Sequence, residues 1–457
     1  MPLGRVNDQA QTKISKKLLK ALEGHLNEGQ AKAAIVLLDG MHAADIAELA
    51  EQLNDDQALV LLRELPKELF ADVLTHFQED DRSSILESFT GKEIAEYVVS
   101  EMDTDDAADV IGELPDEKKQ EVLSNLVDTE LARDLADLLK YPDGTAGALM
   151  ATELIQVNEN WTVLKCVAEM RRQAEDVGVV HAVYVVDDNE VLKGSLSLKK
   201  LLTTSTKSPI VDLYSKDIHK VTVHDEEDVV ARTMTKYDLF VMPVVDDMGQ
   251  LLGRITLDDI VDVLQEEADS NYQLMSGLSE EVEYHDSLFE MTRARLPWLL
   301  VGLIGGIVAS GVISSNEAEM GLWPQLIFFI PLIAAMGGNV GVQSSAIVVQ
   351  AIANDSIQRN LGERLRRELG IGLINGAICS LAIFLYAWGT GLDIMFATTV
   401  GSSLMAVILF ASLFGTAVPW ILNYYDIDPA LATGPFITTT NDVLGLTIYF
   451  AIAQALL

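Results

Sequence analysis

PALATGPFITTTNDVLGLTIYFAIAQALL, residues 429–457, carries a single side chain that is charged at neutral pH, Asp442. As a helix the stretch can cross a ~30 Å hydrocarbon core, which needs about 20 residues. Asp442 then lies roughly twelve residues in, ~18 Å deep at about 1.5 Å per residue, near mid-bilayer. A carboxylate at that depth needs a cation or a wet cavity. The chain supplies no intramembrane Lys or Arg to pair with it, which favours a mobile cation. Thr438, Thr439, Thr440 and Asn441 precede it and put polar atoms on several faces of the helix. A protonated Asp442 bonded to a neighbouring helix is the structural alternative.

Upstream, apolar stretches near 297–314, 322–352, 369–392 and 394–422 make five expected spans with the last. The second and fourth exceed the membrane's need, and Pro331 with Gly337 and Gly338 marks an expected break in the second. The sequence PLIAAMGGNVGVQSSA (331–346) sets Asn339 and Gln343 one helical turn apart in an apolar span. Its glycines suit close packing, pore lining or both. Gly302, Gly306 and Ser310 form a second small-residue face. Arg293 and Arg295 precede the first span, and RNLGERLRRE (359–368) separates the second from the third, whereas SSNEAEMG (314–321) and the Asp393 turn carry only acids. Positive charge marks the cytoplasmic side. The N-terminal half is therefore expected inside and, after five crossings, Leu457 outside.

From Pro297 onward four basic residues face nine acidic ones, a net of −5, leaving −32 of the chain's −37 for residues 1–296. So acidic a half repels nucleic-acid phosphates and anionic lipid, while dense carboxylates suit hard divalent cations. Cys166 and Cys379 stand on opposite sides of that split, so no disulfide framework is expected. MPLGRVNDQAQTKISKKLLKAL (1–22) lacks an apolar core followed by a cleavage site, and no signal peptide is expected.

VVDDNEVLKGSLSLKKL (185–201) repeats as VVDDMGQLLGRITLDDI (244–260) at a spacing of 59 residues. Each copy predicts strand, tight acidic turn, strand and helix. Earlier, ELPKELFADVL (64–74) echoes ELPDEKKQEVL (113–123), with Pro66 and Pro115 each expected to start a helix of a repeat stack. Asp103, Asp105, Asp106 and Asp109 cluster there; Asp105 and Asp109, four apart, share a helical face where like charges repel. Helix capping accounts for one or two of them. From Asp258 to Trp298 an acidic linker begins as one helix, with Ile260, Val261, Val263 and Leu264 against Asp258, Asp259, Asp262, Glu266 and Glu267.

The 59-residue repeat resembles a tandem pair of cystathionine-β-synthase (CBS) domains, which commonly dimerise as a disc and hold adenine nucleotides. The family's ribose motif, Thr-x-x-Asp, matches Thr256 and Asp259 in the second copy; Ser197 and Lys200 replace it in the first. With the five spans, the acidic helical repeat and DPALATGPFITTTNDVLGLTIYF (428–450), residues 40–457 closely resemble the MgtE family of magnesium channels. The implied architecture is multi-domain. It runs from a helical extension (1–39) to an all-α helical-repeat N-domain (40–148) and an α/β tandem CBS pair (149–266). An acidic connecting helix (258–290) then leads to a five-helix transmembrane domain (291–457).

The resemblance implies a homodimer in the inner membrane that conducts Mg²⁺ through one pore on its two-fold axis, with Mn²⁺ or Co²⁺ as rival cargo. Pore positions carried over are Asp442, Asn339, Thr438 and Asp428. Regulatory Mg²⁺ is implied at Asp105, Asp109, Asp228, Asp238, Asp259, Asp262 and Glu267. ATP at Thr256 and Asp259 is a further ligand that the family allows. Val342 and Ser270 depart from the family's pattern, at positions where relatives carry a second Asn and an acid. The expected gate is electrostatic: without internal Mg²⁺ the acidic faces separate and the pore opens, and Mg²⁺ bridging closes it. A nucleotide-binding membrane sensor without transport is the alternative. Mid-membrane Asp442 argues against it and against an anion channel. No Ser-His-Asp arrangement, Walker loop or histidine metal cluster is present in the sequence, so no enzyme is expected.

Overall fold

The protein is described by a computed structural model at residues 16–174, 177, 179–279, 282, 287–353, 361–425, 427–432 and 434–457. Arg359, part of the orientation argument, lies outside these residues, as do the first fifteen residues of the expected N-terminal extension and parts of the acidic linker. Two units separate by their internal contacts, Met1–Leu264 and Gln265–Leu457.

The first unit opens with α1 (Lys16–Asn27), α2 (Ala31–Leu37), α3 (Ala43–Glu51), α4 (Asp55–Arg63) and α5 (Lys67–Leu74). It continues with α6 (Glu79–Glu87), α7 (Gly91–Tyr97), α8 (Thr104–Gly112), α9 (Asp116–Asn125) and α10 (Thr129–Leu138). The repeated prolines explain two helix starts: Pro66 and Pro115 stand immediately before α5 and α9. Asn54 and Thr90 close capping boxes on α4 and α7, contacts typically worth about 1 kcal/mol each.

Two three-stranded sheets follow. The first holds β1 (Ile155–Asn158), β2 (Val183–Val186) and β3 (Leu192–Leu196), with α11 (Val163–Gln173) and α12 (Leu198–Thr203). The second holds β4 (Val221–Thr222), β5 (Val241–Val245) and β6 (Leu251–Thr256), with α13 (Glu227–Tyr237) and α14 (Leu257–Met275). Each sheet pairs its first two strands parallel and its last two antiparallel. Even the register shift recurs, between Val185 and Val186 and again between Val244 and Val245. The copies are joined through their acidic turns, where Leu192 N–H donates to Gly249 O and Leu251 N–H to Glu190 O. Tyr184, Val186, Val245 and Leu251 fill a small core of their own. The first copy has a separate core around Val157, Cys166 and Val185, whereas Val244, Ile255 and Ile260 of the second share one cluster with Leu49, Phe70 and Ile111 of the helical stack.

The second unit contains α15 (Leu288–Ser315), α16 (Glu317–Leu322), α17 (Leu326–Ala353), α18 (Leu361–Gly389), α19 (Ile394–Tyr424) and α20 (Gly434–Leu456). Five of these, all but α16, are long and apolar enough to cross a membrane. The 392–394 turn is well defined: Gly391 takes a left-handed φ of +88°, and Asp393 accepts from Met395 N–H at 2.9 Å to start α19. Helix α16 went unforeseen.

Two expectations fail. Helix α17 does not break at Pro331 or at Gly337-Gly338 but runs unbroken for 28 residues. Pro331 sits early in it, where one backbone bond is forgone, and the glycines serve packing. The small face of α15 is also misplaced. Gly302 and Gly306 have open space where a side chain would be, whereas a Cβ on Gly305 would collide with Thr439.

Candidate functional site

Helix α20 meets its neighbours through residues without side chains. A Cβ on Gly338 would lie 3.1 Å from Thr438 Cγ2 and 3.7 Å from Asp442 Oδ1. One on Gly341 would strike the Asn441 amide, and one on Gly415 would strike the Gly341 carbonyl. The glycines of α17 thus form the surface on which Asp442 and Asn441 rest. Asn441 is 1% exposed, and neither of its amide atoms has a protein hydrogen-bond partner. Such a group in an apolar interior costs several kcal/mol, about 2–7 by transfer measurements, unless it is hydrated.

Asp442 itself is half-buried, eight residues into α20. Thr438 Oγ1 donates to Gly434 O at 2.9 Å, leaving its lone pairs free for a cation or its water. Asn339 is exposed on α17. Asp428 is elsewhere: it precedes α20 and accepts from Ala430 N–H at 2.7 Å, capping the 3₁₀ turn Pro429–Ala432. The sequence reading missed Glu368 of α18, 5% exposed and accepting from Ser344 Oγ at 2.7 Å. An acid immediately before the expected third span was the available signal.

The second group of acids lies in the first unit. Protein packed around Asp106, whose side chain still reaches solvent, pushes it up to about 6, with Asp259 and Asp103 adding to the rise. The same packing pushes Asp109, likewise exposed at its surface, up to about 7, with Arg82 restraining it and Asp106, Glu113 and Asp259 adding. Asp105 is raised well above the usual carboxylate range by burial and then by Asp106 and Asp259. Asp259 rises for the same first reason, although Thr256 N–H and Oγ1 donate to it at 2.7 and 2.8 Å. Helices α8 and α14 therefore bring together carboxylates that resist being charged at once. Such crowding attracts cations, which would relieve it.

Among the described residues no three His, Cys, Asp or Glu side chains stand at direct metal-ligand spacing. Asp262 is raised by burial and by Asp258. Glu267 lies two turns beyond Asp259 on the same helix. Asp228 instead pairs with Arg232 at 2.7 Å, and Asp238 takes a left-handed backbone (φ +53°) at the end of α13.

Protein contacts the sequence did not reveal hold this junction together. Thr104 donates through N–H and Oγ1 to Glu153 (3.2 and 2.9 Å), and its Oγ1 accepts from Thr152 N–H at 2.8 Å. Arg254, 7% exposed, reaches Asp103 at 3.3 Å, and Arg82 grips Glu113 beside Asp109. Between the two sheets lies a small pocket of ≈ 10 Å³, room for about one water, lined by Ile155, Val180, His181, Tyr184, Val241 and Arg254. Tyr184 Oη and Arg254 Nε are buried there without protein partners. The Thr256/Asp259 motif, by contrast, is closed on itself.

The family model for the MgtE intracellular N domain matches residues 41–144, CBS domain models match 146–206 and 210–266, and the MgtE divalent cation transporter model matches 330–452. A magnesium transporter MgtE of Thermus thermophilus is 30% identical over 97% of this chain and 99% of its own length. One from Enterococcus faecalis is 35% identical over 71% of each. The crystal structure of the cytosolic domain of the Mg²⁺ channel MgtE in complex with ATP covers 54% of this chain and 99% of its own, at 31% identity and a TM-score of 0.50. With five membrane-length helices following an intracellular-type N domain, the chain is a multi-pass membrane protein and belongs to the MgtE family of divalent cation transporters.

Proposed function

We propose that the protein is a homodimeric Mg²⁺ channel of the cell membrane that cytoplasmic Mg²⁺ closes. The observation that carries this is Asp442, a carboxylate without a cationic side chain in its own helix, seated on the glycines of α17 beside the accepting oxygens of Thr438. Asp442 holds a hydrated cation by charge and by hydrogen bonds through water, and Thr438 and Asn339 take part of that shell. Mg²⁺ fits this use, because a sparse donor set suits an ion reluctant to shed water. The relatives' named cargo agrees.

Closure is assigned to the acids of α8 and α14. With no metal, Asp105, Asp106, Asp109 and Asp259 repel one another, and the contacts of Thr104 and Arg254 hold the junction against that repulsion. Mg²⁺ binds the compact arrangement better than the open one and so shifts the population toward it. Asp262 and Glu267 extend the acidic face along α14; Asp228 and Asp238 are available to a metal bridging from α13. Dimerisation is supported by apolar side chains left exposed on CBS-pair helices, among them Leu198, Leu202, Val229 and Val261. Buried Arg254 and Tyr184 favour an anionic ligand such as ATP at the pocket between the sheets, as a modulator. On this reading the chain's division of labour is sensing before residue 276 and conduction after it, with the C-terminus outside. The full-length protein in liposomes tests it. Asp442→Ala should cut Mg²⁺ flux at least 100-fold while the protein remains a folded dimer; wild-type flux in that variant would return the protein to the sensor class.

A further inference from the structure

The second unit contains a contact that delivers motion of the acidic helix to the pore helix. Helix α14 ends on a left-handed glycine, Gly277 (φ +85°), with Gly277 N–H donating to Leu274 O and Leu278 N–H to Gln273 O. That end is fastened twice. Gln273 exchanges hydrogen bonds with the backbone of Val282 (3.0 and 2.9 Å), and Ser279 donates through N–H and Oγ to Ala294 O of α15 (3.0 and 2.7 Å). It also lies directly against the start of α20. A Cβ on Gly277 would come within 2.6 Å of Pro435 Cγ, and a Cβ on Gly434 within 2.5 Å of the Met275 carbonyl oxygen. Gly434 is itself left-handed, with φ +42°. At Gly434 the backbone therefore lies against the Met275 backbone and at Gly277 against the Pro435 ring, a close approach at positive φ that only glycine admits.

The path onward is short. Gly434 O accepts from Thr438 Oγ1, Thr438 Cγ2 is the atom nearest Gly338, and Asp442 lies eight residues from Gly434, about 12 Å along a stiff helix. We propose that Gly277 and Gly434 form the coupling joint of the gate, positioning residues that set where Asp442 stands against α17. This rests on the Mg²⁺-closed channel proposed above. The joint is engaged in the closed arrangement, and separating the two backbones frees α20 from control by the acidic helix.

The test is full-length protein in liposomes, with flux followed against internal Mg²⁺. Gly277→Ala and, separately, Gly277→Ser should conduct with half-saturating external Mg²⁺ within about two-fold of wild type. Each should need at least ten-fold more internal Mg²⁺ to close, a split that general destabilisation does not produce. Closure curves that coincide with wild type overturn the proposal. Because these variants could misfold, Ser276→Cys with Pro435→Cys, on a Cys166→Ser, Cys379→Ala background, gives a second reading. Bridged by a short thiol-reactive linker, the channel should lose its response to internal Mg²⁺ and regain it on reduction. A response that persists while bridged overturns the joint. Wild-type protein that fails to close in Mg²⁺ removes the underlying reading, and the joint with it.

Discussion

The pore helix and the cytoplasmic junction both depend on aspartates, yet they handle charge in opposite ways. On α20 one carboxylate stands with no other charged side chain in its helix, and the packing of its turn is set by what α17 lacks, side chains at Gly338 and Gly341. At the junction of α8 and α14 several carboxylates crowd together, and their positions are set by what they touch, Thr104, Thr256, Arg82 and Arg254. On the proposed reading the first arrangement is all-or-none, since removing the one acid removes the site, and the second is graded, since each acid shares the repulsion and each can be lost singly.

The largest test of that contrast beyond Asp442 is steric. Gly341→Val should drive a branched side chain into the Asn441 amide, costing about 1–3 kcal/mol by overpacking. We expect thermal unfolding of the detergent-solubilised dimer to shift down by several degrees and flux to disappear; unchanged stability would show that the glycines do not set the seat. Next comes the paired change Asp105→Asn, Asp109→Asn. It should leave flux intact and raise the internal Mg²⁺ needed for closure by ten-fold or more, while either single change gives about three-fold. Equal effects of single and double variants would mean that one acid, not a shared field, carries the response.

The smallest effect is with pH. In the compact form Asp109 titrates near 7 and Asp106 near 6, against a reference value of 3.8. A carboxyl whose pKa rises on packing favours the compact form when protonated. That contribution is complete below about pH 4 and is lost as pH climbs through 6 to 7. With Mg²⁺ chelated, protease resistance of the cytoplasmic half of the full-length protein should therefore increase from pH 8 to pH 5. Asp109→Asn should flatten the rise.

Much of this was legible in the sequence because periodicity and hydropathy are local. The 59-residue repeat fixed both sheets, Pro66 and Pro115 marked two helix starts, and apolar runs gave five membrane-length helices. Contacts between distant segments left no such trace. Nothing around Gly305 distinguishes it from Gly302 and Gly306, since the difference is made by Thr439 more than a hundred residues later. Arg254 reads as one more basic residue in a strand until Asp103 is placed beside it. Pro331 misled because its effect depends on where in a helix it falls. The crowding of acids along α8 was visible in the sequence; that Asp259 of α14 joins them followed only from the resemblance.

The two sheet copies, alike down to a shared register shift, do not share their interiors equally. The first encloses a core of its own, while the second is built into the same apolar mass as the helical stack. Damage inside the first copy, at Val185 for instance, would be absorbed where it occurs. The same damage at Val244 would loosen the ground on which α8 faces α14. A duplicated fold has thus become two organs of unequal consequence, one that can drift and one whose smallest defect would reach the acids of α8 and α14 and, on the proposed reading, the closing of the channel.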